Sequence, residues 1–246
     1  MKKILFISVI LTFTISIYSQ KLDITSHTLK DSSFSKKYEI TANYPQIDFG
    51  PEALMGVRGI ASDVNTEVMK VMNGIMLPFR ELSTGDTLPC PQPINILEIN
   101  YTIIYKDNGY LSFLFETYSS PRCAAHPMTF RTSFNYSYTN KGLLTVDSLF
   151  APGSGWLQKI SSICIEELRL RAKRDQLETD DMITSGASPL ASNFNTFTIN
   201  DYTLDIIFNL YQVGPYVWGF QTVSIPWDKL TTMIDPSGPL GFLIKK

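Results

Sequence analysis

The sequence predicts an α+β fold, antiparallel sheet meanders packed against a few helices, on three observations. Apolar, β-rich runs follow one another through short turns, as Ile94 to Tyr105 and Tyr110 to Tyr118 do around Lys106-Asp107-Asn108-Gly109. Helical spacing of apolar residues is concentrated in two places, Val64 to Met76 and Trp156 to Leu168. Strands and helices do not alternate regularly, so a doubly wound parallel sheet is not indicated.

The first residues read as an export signal. Lys2 and Lys3 give a positive start, Ile4 to Tyr18 is apolar or hydroxylated, and Ser19-Gln20 ends the run, so residues 1–19 are expected to be removed. A retained anchor is the rival reading, but the run falls short of the roughly 20 residues a bilayer helix needs. No second such run follows, so the mature chain should have no stable membrane span and should be periplasmic or secreted. Loss of Lys2 and Lys3 takes the formal net charge from −2 to −4.

Residues 21–35 are polar and expected to be poorly fixed. Tyr38 to Ile47 alternates as a strand, with Pro45 arguing for an edge. Pro51 should open a helical region of two stretches, 52–60 and 64–79, in which Val64, Val68, Val71, Met72, Ile75 and Met76 share a face. Residues 80–93 form a turn-rich loop before the hairpin 94–118. Met128 to Tyr138 is a further strand, and Asn140-Lys141-Gly142 turns it into a short partner, 143–146. Ser154 can cap the helix carrying Trp156, Leu157, Ile160, Cys164 and Leu168 on one face. Residues 176–193 read as an irregular linker. Strands 196–200, 202–210 and 218–225 follow, and the tail from Ile234 wraps the surface.

Cysteine usage fits an oxidising compartment. In a hairpin turning at 106–109 the numbers of opposed residues sum to about 216, and those of Cys90 and Cys123 to 213. The two therefore fall near each other at its open end, within reach of a disulfide. Cys164 reads as a buried thiol.

Catalytic signals are sparse. The only histidines are His27 and His126. His126 has no partner at metal-binding spacing, so no metal and no cofactor is expected. Gly153-Ser154-Gly155 lacks the preceding strand of a nucleophile elbow. Asp147, between a strand and a glycine-rich approach to a helix, is the carboxylate that could serve His126, although a turn cap explains it as well. Arg169, Arg171, Lys173 and Arg174 are a helix C-terminus, not a nucleic-acid surface. Aromatic residues make up 12% of the chain, and Tyr211, Tyr216, Trp218 and Phe220 surround a turn at Gly214-Pro215. Rings so placed stack on sugars or anchor protein interfaces.

Several motifs carry a resemblance. They are His126-Pro127, Asn140-Lys141-Gly142, the run Leu144-Thr145-Val146-Asp147-Ser148-Leu149-Phe150, and Phe208-x-x-Tyr211-Gln212-Val213-Gly214-Pro215-Tyr216-x-x-Gly219 with Ile225-Pro226-Trp227. Together, over residues 121–246, they resemble the RsiV-like domain of unknown function, DUF3298. Residues 36–120 resemble the DUF4163 region that commonly precedes it. The resemblance implies an extracytoplasmic domain pair that could pack as one body. It also implies recognition of a lysozyme-like protein; the aromatic turn adds a peptidoglycan fragment as the other expected ligand, and His126, Tyr211, Gln212, Tyr216 and Trp218 are the expected binding residues. The chain departs from members that carry Gly-Gly-Ala-His-Gly, having Arg122-Cys123-Ala124-Ala125-His126-Pro127, and it shows no deacetylase domain, sigma-binding part or transmembrane helix.

The reading that results is an exported, non-catalytic binding module of the envelope that recognises a protein or a cell-wall glycan. A wall-directed hydrolase using His126 and a carboxylate, and a structural periplasmic partner protein, are the alternatives.

Overall fold

The structure is a computed structural model that describes residues 22–82, 92–107, 109–138 and 140–244. The expected signal at 1–19 and Cys90 lie outside the described residues.

The chain forms a mixed α+β fold with two sheets. The larger has six strands in sequence order: β1 (Asp23–Ser33), β2 (Tyr38–Asp48), β3 (Asn95–Asp107), β4 (Tyr110–Ser120), β5 (Met128–Ser137) and β6 (Gly142–Leu143). The β3–β4 hairpin turns where Lys106 to Gly109 predicts, with Thr102 opposite Leu114. A bulge between Ile103 and Tyr105 shifts the register near the turn. One pairing departs from the expected meander. Helix α1 (Met55–Arg80) lies between β2 and β3 in the chain, so these strands run parallel, Tyr38–Ala42 beside Asn95–Ile99.

The polar stretch expected to be loose is instead β1, paired with β2 along its whole length. It has little apolar pattern of its own because it is a sheet edge. Its strand form is imposed by its partner, by a turn with Lys37 at φ 52, and by Arg80, whose Nε reaches Asp31 Oδ2 at 2.7 Å. Pro45 lies beyond the last β2–β3 pair, where a missing N–H costs no ladder bond.

Helix α1 is one continuous helix, not two stretches, and Pro51 sits in the turn before it. Nothing between Ile60 and Val64 breaks the helical period, and Ala61 joins the buried face with Val57, Ile60, Val64, Val68, Met72 and Met76. That face covers Ile40, Ala42, Leu97, Ile99, Phe113, Phe115 and Phe134 of the sheet. Burial of so many large side chains is the main favourable term on this side of the molecule.

The C-terminal part has its own core. Helix α2 (Trp156–Arg174) and helix α3 (Asp180–Gly186) pack with the three-stranded sheet β7 (Phe197–Ile199), β8 (Thr203–Phe208) and β9 (Gln221–Pro226). Ile160, Cys164 and Leu168 are fully buried on the predicted face of α2. The residue capping α2 is Gly155 at φ 76; Ser154 makes no capping bond, and its buried Oγ has no hydrogen-bond partner. Of the expected strand 143–146 only Leu143 belongs to the paired strand, together with Gly142 from the turn, and a 3-10 turn begins at Val146.

Residues 176–193 are not a linker. They hold α3 and a 3-10 turn at Ala191–Phe194, fastened by a bidentate Arg169–Asp180 pair and by Ser161 Oγ donating to the Ala187 carbonyl at 2.7 Å. The tail also enters the core: Ile234 bridges Phe150, and Leu240 is fully buried.

The two sheets meet through side chains that act as a strand would. Asn135 Nδ2 donates to the Phe197 carbonyl at 2.8 Å, while the amides of Phe197 and Ile199 donate to Ser133 Oγ and Ser112 Oγ at 3.0 and 3.3 Å. The outer edge of β7 is thereby satisfied by β4 and β5. The larger sheet is continuous across residues 120 and 121, since β4 and β5 pair over their length.

Candidate functional site

Two loops at one end of the larger sheet bring the candidate residues together. The first joins β4 to β5 (residues 121–127) and carries His126. Its start is pinned by the Arg122 amide donating to Asn95 Oδ1 at 2.6 Å, and Cys123, at φ 62, is disulfide-bonded. The second joins β8 to β9 (residues 209–220) and carries the tyrosines.

The second loop is tightly fastened. Asn209 exchanges two hydrogen bonds with the main chain of Arg131 on β5, accepting from its amide at 2.7 Å and donating to its carbonyl at 3.1 Å. The Arg131 guanidinium lies 4.1 Å from the Phe220 ring centroid and pairs with Glu116 at 2.9 Å. Gly214 is required here, because a Cβ would run into the Trp218 indole. Tyr211 holds φ 66, a left-handed conformation unusual for a bulky residue and often met at functional sites.

On this frame three rings form a ledge. The His126 and Tyr216 centroids are 5.4 Å apart and those of Tyr216 and Tyr211 are 5.6 Å apart, tilted by 46° and 39°. Tyr211 and Tyr216 are 47% and 42% exposed, and Val217 beside them is 84% exposed. His126 is exposed, with Nδ1 3.0 Å from the Pro127 carbonyl. The order His126–Tyr216–Tyr211 gives a strip of aromatic faces open to solvent.

The other expected binding residues point elsewhere. Gln212 donates to the carbonyls of Gly186 and Asn193 at 3.1 and 2.9 Å and accepts from the Asn209 amide at 3.1 Å. Its amide is committed to holding the loop against α3. Trp218 donates its indole N–H to Asp175 at 3.0 Å, its ring packing against the C-terminal core. Arg174 and that indole hold the Asp175 carboxyl below the usual carboxylate range.

Asp147 is not brought to His126. It lies in an exposed 3-10 turn after β6, which pairs with the far end of β5, whereas His126 precedes the near end. Ten residues of strand separate the two ends, about 30 Å. Among the described residues no group of three His, Cys, Asp or Glu side chains could hold a metal ion.

Reading the residues alone missed Asn209 and Arg131, which fasten the loop that carries the ledge, and named Phe220 only as one of the rings around the turn. The Asn209–Arg131 contact spans 78 residues, and a lone Asn after a strand is no signal for it.

Similarity to known proteins agrees with this architecture. Residues 147–228 match the family described as "Protein of unknown function (DUF3298)". A DUF3298 family protein from Bacteroides fragilis has a similar solved structure, with a TM-score of 0.59 at 13% identity over 93% of this chain and 99% of that one. Another from Pseudomonas aeruginosa gives 0.60 at 13% identity over 88% and 95%. At that identity the DUF3298 structures share the fold alone. A peptidoglycan-N-acetylmuramic acid deacetylase from Bacillus subtilis is 28% identical over 131 residues, which is 53% of this chain but 27% of that protein. The chain thus spans about a quarter of the length of that curated relative. No helix among the described residues is long and apolar enough to cross a membrane.

Proposed function

We propose that this chain is an exported, non-catalytic binding module of the bacterial envelope, and that the ring ledge contacts a cell-wall glycan. The observation that carries the reading is the ledge itself: His126, Tyr216 and Tyr211, drawn from two loops, in tilted contact and exposed to solvent. Aromatic faces match the apolar faces of pyranose rings, and a loop held rigid before binding loses little entropy on contact. The similarity to a peptidoglycan deacetylase adds weight to a wall ligand. Removal of residues 1–19, a DUF4163-like region at 36–120 and an RsiV-like region at 121–246 belong to the same proposal. The Cys90–Cys123 bridge also belongs to it, with Cys123 bonded and Cys90 outside the described residues.

A protein partner, lysozyme-like in the family resemblance, is the second reading. It is favoured by Val217, an aliphatic side chain 84% exposed beside the rings, as in a protein-docking anchor. Co-sedimentation with insoluble peptidoglycan and calorimetry with lysozyme separate the two. The glycan reading expects sedimentation that Tyr216→Ala weakens about tenfold or more. Sedimentation unaffected by Tyr216→Ala and Tyr211→Ala, or binding to lysozyme alone, overturns it.

A further inference from the structure

The face of the larger sheet turned away from α1 is covered at one end by β7 and the 209–220 loop. Elsewhere it is open. Across that open part a row of polar side chains runs perpendicular to the strands. Thr28 on β1 donates to Asn43 Oδ1 on β2 at 2.7 Å, and Asn43 Nδ2 donates to Asn100 Oδ1 on β3 at 2.8 Å. Asn100 is the register partner of Glu116 on β4, and Glu116 is the partner of Arg131 on β5, to which it is ion-paired. Arg131 in turn lies over Phe220 and holds Asn209, two residues before Tyr211. The row Thr28–Asn43–Asn100–Glu116–Arg131 therefore crosses five strands, about 19 Å, and ends at the loop of the ring ledge.

A second row lies beside it. Thr41, Glu98, Tyr118 and Thr129 are successive register partners, and Tyr118 is 37% exposed on this same face. A cavity of about 480 Å³ opens where β2 leaves β3, lined by Ser26, Asn43 and Asn100 to Ile103.

We infer that this row is a binding track for a neutral, hydroxyl- and acetamide-bearing glycan chain, laid across the strands and continuing onto the ring ledge. The inference rests on the ledge reading above and extends it to the ligand's length and direction.

The chemistry of the row selects that occupant. Asn100 accepts one hydrogen bond from Asn43, which leaves its amide N–H groups and a carbonyl lone pair for a ligand; Asn43 keeps one N–H. Side-chain amides both donate and accept, as hydroxyl and acetamide groups require. Arg131 neutralises Glu116, so the row itself offers little to a polyanion. A protein interface would want a cluster of large apolar anchors, and on the open rows only Tyr118 approaches one. The spacing of strands, about 4.8 Å, is also close to the advance of one pyranose along an extended chain.

The test is a titration of β-1,4-linked N-acetylglucosamine oligomers, dimer to hexamer, against the wild-type chain, Asn43→Ala/Asn100→Ala and Tyr216→Ala. Thermal melts check that each variant is folded. The track predicts that wild-type affinity rises about tenfold from dimer to pentamer, that the double variant loses the rise, and that Tyr216→Ala weakens every length. Amide shifts in β1 to β5 should appear only with the longer oligomers. If Tyr216→Ala weakens binding but the double variant and chain length have no effect, the track is overturned and the ledge reading stands. If no oligomer binds the wild-type chain, both are overturned.

Discussion

Asn65 on α1 gives its whole carboxamide to the main chain of Ile47, accepting from its N–H at 2.8 Å and donating to its C=O at 2.9 Å. Ile47 lies where β2 has parted from β3, so one helix side chain replaces the missing strand. Asn65→Leu should therefore cost about 1–3 kcal/mol, the range for leaving buried main-chain groups unpaired. Denaturant unfolding measures the loss, and hydrogen exchange should quicken at the Ile47 amide first. An unchanged midpoint would show that water replaces the amide at no cost.

Gly59 and Gly74 sit on the exposed face of α1, and a Cβ at either would meet no atom within 4 Å. Alanine at each should stabilise the chain by roughly 0.8–1 kcal/mol through helix propensity alone. The two positions are about 22 Å apart along the helix, so their effects should add. Thermal melts of the single and double variants check both statements.

Gln212→Glu separates a structural from a ligand-contacting role. The carboxylate would face the carbonyls of Gly186 and Asn193, which the native amide serves as donor. The expected result is a loss of about 1–3 kcal/mol in stability without any ligand present. A variant as stable as the parent but defective in binding would return Gln212 to the contact surface.

Alkaline pH should destabilise the fold through groups that burial keeps protonated. Burial pushes the Cys164 thiol from 9.0 up to about 12, against a smaller opposing effect of Arg171. Burial also raises the hydroxyls of Tyr110, Tyr136 and Tyr138 above 10.0. With folded values above unfolded ones, the stabilisation is complete below about pH 9 and fades as pH climbs toward the folded values. Denaturant midpoints from pH 8 to 11 should fall, while Cys164 stays unlabelled by iodoacetamide at pH 8 until the chain unfolds. Non-reducing peptide mapping of the same sample should return one bridge, Cys90 to Cys123; a bridge to Cys164 would refute the hairpin argument. A flat stability profile would show that these side chains lie closer to water than their burial implies.

Local signals in the sequence carried much of this structure. Lys106 to Gly109 is turn chemistry within four residues, and it set the β3–β4 register that places Thr102 opposite Leu114. The buried face of α2 followed from spacing alone. Elements specified by distant partners were illegible: β1 is held by Asn43 and Arg80, and α3, seven residues long, by Arg169 and the burial of Ile183. The parallel β2–β3 pair was hidden for the same reason, since α1 separates the strands in the chain. At the site, aromatic density pointed to Tyr211 and Tyr216, but a one-dimensional reading could not tell a ring facing solvent from Trp218, whose N–H is taken by Asp175.

The side-chain closure of β7 bears on where this chain can be cut. Ser112, Ser133 and Asn135 lie upstream of residues 147–228, the segment matched to DUF3298, yet they serve the amides and a carbonyl at the rim of its sheet. Excision of that segment would leave the rim bare, and an uncovered strand edge is a template for pairing with another copy. The sequence unit and the self-sufficient folding unit are thus not the same length. A fragment meant to stay monomeric has to begin no later than β4.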